Sequence, residues 1–268
     1  MPGGEAEVSG RKSSQFLSAL LQAAPYAQRD VIIRVRDELI AKPYVDMTIG
    51  VMAAFGVEVQ RDGYRAFHVR AGQRYRARPY TVEPDASSAH YFLAAAALTG
   101  GRVRVEDLGS DSIQGDVRFA DLLARMGAHV VWEPRSVEVV GPEHLDGIDA
   151  DMNALSDTAP TLAVLGPLAK DAVRIRNIAH VRWQESDRLH AVATELSRLG
   201  VRVEESQDGL VVHPSAVTPA AVQTYDDHRL AMSFALIGLK VPGLRILDPG
   251  CVAKTFPDYF ERLEDLRR

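Results

Sequence analysis

One phrase recurs three times in this sequence: a helix that ends in an apolar residue and a glycine and runs directly into a strand. It reads Met52-Ala53-Ala54-Phe55-Gly56-Val57-Glu58-Val59, then Leu123-Ala124-Arg125-Met126-Gly127-Ala128-His129-Val130, then Leu196-Ser197-Arg198-Leu199-Gly200-Val201-Arg202-Val203. The glycines at 56, 127 and 200 lie 71 and 73 residues apart, and self-similarity at a fixed period is the signature of one supersecondary unit used several times. Each glycine stands where a helix needs a left-handed C-terminal cap. An alternating strand, a short polar turn and a second strand follow, with Asp62-Gly63 and Asp208-Gly209 as hairpin signals.

Upstream of each phrase lies an Ala/Leu-rich helix, a β-branched strand and a polar loop. In the second copy these are Tyr91 to Leu98, Val103-Arg104-Val105, and Ser110 to Gly115. The unit is therefore helix, strand, helix, strand, strand, an α/β architecture. A fourth copy starts at Asp227, with a helix over Leu230 to Leu239, a strand Leu244 to Leu247 and a helix from Pro257 onward. By the internal pattern its Gly cap and closing hairpin are still owed at Arg268, and the first copy's strand Ala6-Glu7-Val8-Ser9 follows Met1 closely. The chain thus reads as truncated at the N-terminus. A handover falls near Arg76 to Pro84, where prolines interrupt the pattern. The expected division is residues 1–82 as one folding unit of a first domain and 83–268 as most of a second.

Composition narrows the function. Thirty-one Lys and Arg against 36 Asp and Glu give a formal net charge of −5, which offers no bulk attraction to nucleic acid or an anionic membrane. Any phosphate binding must be a local site. One Cys, Cys251, excludes an internal disulfide and fits a reducing cytoplasm. No apolar run approaches the roughly 18 residues of a membrane span, and the opening lacks the layout of a signal peptide.

Every copy places small hydroxyl or acidic residues before its first helix: Ser13-Ser14-Gln15, Asp85-Ala86-Ser87-Ser88, Ser156-Asp157-Thr158 and Asp226-Asp227-His228-Arg229. N-capping accounts for such residues. For Ser13, Ser14 and Gln15 an anion site at the positive helix end is a closer competitor. Arg182-Trp183-Gln184-Glu185-Ser186-Asp187-Arg188 is denser in charge than capping requires. If the copies pack in register, Arg188, Arg229 and Lys254 converge in one cationic pocket with Asp157 and Glu185 at its edge, where an anionic substrate meets a proton donor.

These segments, with Lys42-Pro43-Tyr44, Gly115-Asp116-Val117-Arg118-Phe119-Ala120, Glu185-Ser186-Asp187-Arg188 and Ala253-Lys254-Thr255-Phe256-Pro257, resemble in order the enolpyruvyl transferases. The branch they resemble is the 5-enolpyruvylshikimate-3-phosphate (EPSP) synthase family, of which the chain matches roughly the C-terminal three-fifths. The resemblance implies an inside-out α/β barrel, with helices inside and sheets outside. It also implies transfer of the enolpyruvyl group of phosphoenolpyruvate to the 5-hydroxyl of shikimate 3-phosphate in the cytoplasm, with no metal and no organic cofactor.

Carried over by resemblance, Ser13, Ser14, Gln15, Tyr44, Asp157, His180 and Gln184 contact shikimate 3-phosphate. Gln15, Arg188, His228, Arg229 and Lys254 contact phosphoenolpyruvate. Asp157 takes the proton of the 5-hydroxyl and Glu185 protonates the methylene carbon. The chain departs from the family at Gln184, where a Lys is usual, and at Ala41, where a Ser is common. Partners implied are the two small molecules and a complementing N-terminal polypeptide. A non-catalytic anion-binding module is the alternative, and an enolpyruvyl transferase acting on a nucleotide sugar is disfavoured by Ser13-Ser14-Gln15 together with Lys42-Pro43-Tyr44.

Overall fold

A computed structural model describes residues 1–266; the last two residues of the expected second segment lie outside them. The chain divides into two compact units, Met1–Glu83 with Ile113–Gly115, and Pro84–Ser112 with the remainder from Asp116 onward.

The first unit runs β1 (Gly4–Val8), α1 (Gln15–Ala23), β2 (Val31–Val35), α2 (Lys42–Ala54), β3 (Gln60–Asp62) and β4 (Ala66–Val69). Its sheet has the order β1-β2-β4-β3, with β1 and β2 parallel and the other pairs antiparallel. Leu17 and Leu21 of α1 and Val45 and Met52 of α2 bury against Ile33, Phe67 and Val69 on one face of the sheet. The apolar residues that recur every three to four positions in the helices thus meet those that alternate in the strands. Ala41 takes a left-handed conformation (φ 49°) immediately before α2, without a side-chain cap.

The second unit repeats the same order. Its first copy is α3 (Ala86–Thr99), β5 (Arg102–Glu106), α4 (Phe119–Arg125), β6 (His129–Glu133) and β7 (Ser136–Val140). After β8 (Ile148–Asp151) the next is α5 (Ala159–Leu165), β9 (Val173–Arg176), α6 (Arg188–Arg198), β10 (Val203–Glu205) and β11 (Leu210–Val212). The last has β12 (Ala221–Val222), α7 (His228–Ile237), β13 (Arg245–Ile246) and α8 (Tyr259–Asp265). The order β8-β9-β11-β10 reproduces that of the first unit, β5-β7-β6 lacks only the leading parallel strand, and β12 pairs β13 in parallel as β8 pairs β9.

Helices lie inside and sheets outside. Helix α5 is buried along its whole length, and α3 buries an Ala94-Ala95-Ala96-Ala97 run whose small side chains allow close helix approach. Strands β5, β6 and β9 expose alternate residues, so each sheet has one wet face. Where α3, α5 and α7 meet, His90 Nε2 lies 2.8 Å from Thr161 Oγ1, which lies 2.9 Å from Ser233 Oγ. These partners are 71 and 72 residues apart, one side chain from each copy.

Gly56, Gly127 and Gly200 have φ of 86°, 95° and 81°, the left-handed caps that the repeated phrase demands. The two Asp-Gly hairpins form, but not centred on the dipeptide. The first turn closes from Arg65 N–H to the Asp62 carbonyl, putting Gly63 and Tyr64 at its centre. The third closes from Ser206 N–H to the Gly209 carbonyl, with Gln207 and Asp208 at its centre. Each turn thus keeps two central residues, shifted by one position from its Asp-Gly pair, forward in the first and backward in the other.

Candidate active site

Four segments of the second unit supply the charged cluster: the approaches to α5, α6 and α7, and the turn Pro249–Lys254 ahead of α8. Helix α6 opens with Arg188 after the N-cap Asp187, whose carboxylate accepts from His190 N–H at 3.0 Å. The β12–α7 loop delivers Asp227, which caps α7 by accepting from Arg229 N–H at 2.9 Å. Asp157 behaves differently from the other acidic residues ahead of helices. It sits in a 3₁₀ segment, Asn153–Thr158, and caps nothing; its carboxylate turns to the two arginines.

Arg188 is 1% exposed and uses every face of its guanidinium. Nε donates to Asp227 Oδ2 at 2.8 Å, Nη1 to Asp157 Oδ1 at 3.1 Å and to the Gln184 amide oxygen, and Nη2 to Glu185 Oε2 at 2.7 Å. Arg229 Nη2 donates to Asp157 Oδ2 at 2.7 Å and, longer, to Ser87 Oγ at 3.4 Å. Lys254 Nζ donates to Glu185 Oε1 at 2.6 Å. Three cations therefore interleave with three carboxylates. The sequence expectation of a cationic pocket with acids at its edge is corrected here: the acids lie between the cations, because burying unpaired guanidinium groups is too costly.

The electrostatics follow. Burial pushes the Asp157 carboxyl up, but Arg229 and Arg188 more than offset it and hold it below its ordinary value. Glu185 is likewise raised by partial burial and lowered further by Lys254 and Arg188, for a net lowering. Both are carboxylates at neutral pH in this state. His228 and His180 are lowered by burial, so both imidazoles are neutral. His228 Nδ1, His180 Nε2 and Ser156 Oγ are buried and accept or donate no hydrogen bond. A buried polar atom of this kind takes its hydrogen bond from water or from a ligand. Among the described residues no grouping of three His, Cys, Asp or Glu side chains could hold a metal ion.

The structure thus brings together Asp157, Gln184, Glu185, Arg188, Arg229 and Lys254, with His228 beside Arg229 in the same helix turn and His180 within electrostatic reach of Asp157. Ser13, Ser14, Gln15 and Tyr44 belong to the first unit. There Ser13 Oγ accepts from Gln15 N–H at 3.1 Å, Ser14 is buried, and Tyr44 lies in the first turn of α2. Asp227 and Ser87 also contact the charged cluster, and residue-by-residue reading takes both as caps. Ser87 and Arg229 are 142 residues apart, two repeat lengths, which was the available signal.

Comparison with known proteins agrees with this architecture. The EPSP synthase from Acinetobacter baumannii superposes with a TM-score of 0.83 at 24% identity, covering 99% of this chain and 62% of that one. The enolpyruvyl transferase NikO from Streptomyces tendae superposes with a TM-score of 0.75 at 20% identity, covering 97% and 63%. The fold is thus that of the enolpyruvyl transferases.

In sequence, the chain is 54% identical over 260 residues to the 3-phosphoshikimate 1-carboxyvinyltransferase of Nostoc sp., covering 97% of this chain and 61% of that protein. Against its namesake in Yersinia pestis bv. Antiqua it is 51% identical over 266 residues, covering 98% and 62%. The profile of EPSP synthase (3-phosphoshikimate 1-carboxyvinyltransferase) matches residues 1–263, and the chain belongs to that family. It spans about three-fifths of the length of the curated relatives it matches. Among the described residues no helix is long and apolar enough to cross a membrane.

Proposed function

We propose that this chain carries the anion clamp and the acid–base pair of a 3-phosphoshikimate 1-carboxyvinyltransferase. The observation that carries the reading is Arg188, which holds Asp157 on one terminal nitrogen and Glu185 on the other, at 3.1 and 2.7 Å. A base and an acid are thereby spaced across a single planar group.

In the reaction the 5-hydroxyl oxygen of shikimate 3-phosphate bonds to C2 of phosphoenolpyruvate. Its proton passes to Asp157, while Glu185 gives a proton to the methylene carbon. The bond from C2 to the phosphate oxygen then breaks and the new methyl group loses a proton, restoring the double bond. Glu185 takes back that proton and Asp157 gives its own to the departing phosphate, so both carboxyls end as they began.

Ionised Asp157 is already in the state a base requires. Glu185 is not yet an acid, and the clamp supplies the reason that binding makes it one. An incoming phosphate and carboxylate compete for Arg188 and Lys254, removing the charges that hold Glu185 ionised and adding negative charge beside it. Its pKa rises only when substrate is present. On this reading Ser13, Ser14, Gln15, Tyr44, His180 and Gln184 serve shikimate 3-phosphate, and His228 joins Arg229 in serving phosphoenolpyruvate.

Turnover in the cytoplasm is assigned to this chain together with an N-terminal polypeptide that makes up the relatives' remaining length. A groove of about 340 Å³ between α3 and β5 on one side and Leu239, Leu263 and Leu266 of the last copy on the other, with Thr99 and Arg102 among its lining, offers a further segment a place to pack. Titration of the chain with phosphoenolpyruvate, followed through the imidazole NMR signals of His180 and His228, tests the clamp. Saturable shifts of His228 are expected; no shift at millimolar ligand would count against the reading.

A further inference from the structure

Outside the cluster, one fully buried carboxylate has no part in the chemistry above. Glu195 lies on α6, two turns after Arg188 and therefore on the same helix face. It is 0% exposed. Its Oε2 accepts from Gln223 N–H at 2.9 Å, its Oε1 accepts from the Tyr225 hydroxyl at 2.9 Å, and Arg198 donates to it at 3.0 Å. The partners Gln223 and Tyr225 both belong to the loop between β12 and α7.

That loop is strained where it matters. Tyr225 and Asp226 are consecutive left-handed residues with φ of 55° and 56°, and neither is glycine. Residues with side chains avoid this conformation unless the surroundings impose it. The residues that follow are Asp227, His228 and Arg229. The same face of α6 thus grips the loop twice, through Glu195 at Gln223 and at the first member of the strained pair, Tyr225, and through Arg188, which donates to Asp227, after it.

We propose that Glu195 is a positioning residue, acting through the left-handed Tyr225–Asp226 turn to hold Asp227, His228 and Arg229 in register with Asp157. The inference rests on the proposed function only for its consequence in ligand binding. A carboxylate is suited to the task because one group can accept simultaneously from a backbone N–H and a phenol on one loop while Arg198 on its own helix balances the charge. Arg188 and Ser186 hold Asp227 at the far end of the turn, and Asp227 N–H closes it on the Thr224 carbonyl; Glu195 adds the side-chain contact to the strained pair itself, through Tyr225.

The test uses the intact chain and the variants Glu195→Ala, Glu195→Gln and Tyr225→Phe, with Leu122→Ala on α4 as a control that destabilises the same unit. Without ligand, Glu195→Ala should raise backbone amide exchange at Asp227 and Arg229 at least tenfold and move the His228 imidazole signals. Tyr225→Phe, which keeps the ring and removes only the hydroxyl, should produce a smaller change of the same sign. Glu195→Gln should restore part of it. Phosphoenolpyruvate affinity should fall in parallel, by roughly tenfold in Glu195→Ala. Unchanged exchange and His228 signals in both Glu195→Ala and Tyr225→Phe would overturn the inference, and so would equal changes in Leu122→Ala. Absence of phosphoenolpyruvate binding by the parent chain would sink the proposed function while leaving the ligand-free comparison decisive for Glu195.

Discussion

Arg229 donates to Asp157 at 2.7 Å across 72 residues of sequence, one repeat length. The two side chains come from corresponding places, the starts of α7 and α5, in successive copies of the unit. His90, Thr161 and Ser233 repeat the relationship deeper among the same helices. The site is therefore a consequence of the repeat: packing equivalent helices together brings their N-terminal ends, and whatever polar side chains they carry, to one place.

Asp157→Asn keeps the size and one acceptor but removes the charge proposed to take the hydroxyl proton. With the N-terminal polypeptide present, turnover is expected to fall at least about 100-fold, the usual scale for losing a general base. The circular dichroism spectrum should be unchanged. Near-normal turnover would show that another group is the base.

Arg188→Ala leaves Asp227, which is fully buried, without its strongest partner and Asp157 with one arginine instead of two. Removing one member of a buried ion pair costs about 3–5 kcal/mol. Chemical denaturation should show a loss of that order. A loss below about 1 kcal/mol would mean that water or rearranged neighbours readily replace the guanidinium.

His90 is buried, and burial, followed by the nearby Arg229, pushes its imidazole down to about 3. In the unfolded chain it titrates near the ordinary value of about 6.5. Between those values the unfolded state binds a proton that the folded state refuses, so stability rises with pH across this window, by up to about 1.4 kcal/mol per unit. His180 and His228 act in the same direction, so the variant His90→Gln, compared with the parent by urea denaturation from pH 4 to 7, isolates one contribution. The slope should be shallower in the variant. Equal slopes would contradict a neutral buried His90.

Lys254 is 55% exposed at its side chain and, among the described residues, pairs with Glu185 alone. Lys254→Ala should change stability by less than about 1 kcal/mol, as surface ion pairs do. It should weaken phosphoenolpyruvate binding more than shikimate 3-phosphate binding. Equal losses for the two ligands, measured by calorimetry on the complemented protein, would remove Lys254 from the clamp.

Much of this was legible before any coordinates. The Gly56, Gly127 and Gly200 phrase fixed three helix ends and the strands after them, because a left-handed cap is a local demand that sequence expresses directly. Capping by Asp85 was legible for the same reason. The interleaving of Asp157, Glu185 and Asp227 with the cations was not. Periodicity tells which face a residue occupies, whereas the pairing of buried charges is decided by partners one or two repeats away. The role of Glu195 is not legible in sequence, because a Glu on an amphipathic helix reads as solvated surface and the loop it holds lies 28 to 30 residues away.

On the proposed function, this chain carries half of a transferase site that turns over only when completed. Phosphate release from phosphoenolpyruvate plus shikimate 3-phosphate, measured with the chain alone and with the family's N-terminal segment added, tests it most directly. Release on addition of the segment, abolished by Asp157→Asn, is the predicted result. No release with the segment shown to bind and the chain folded would contradict it and leave a non-catalytic anion-binding module.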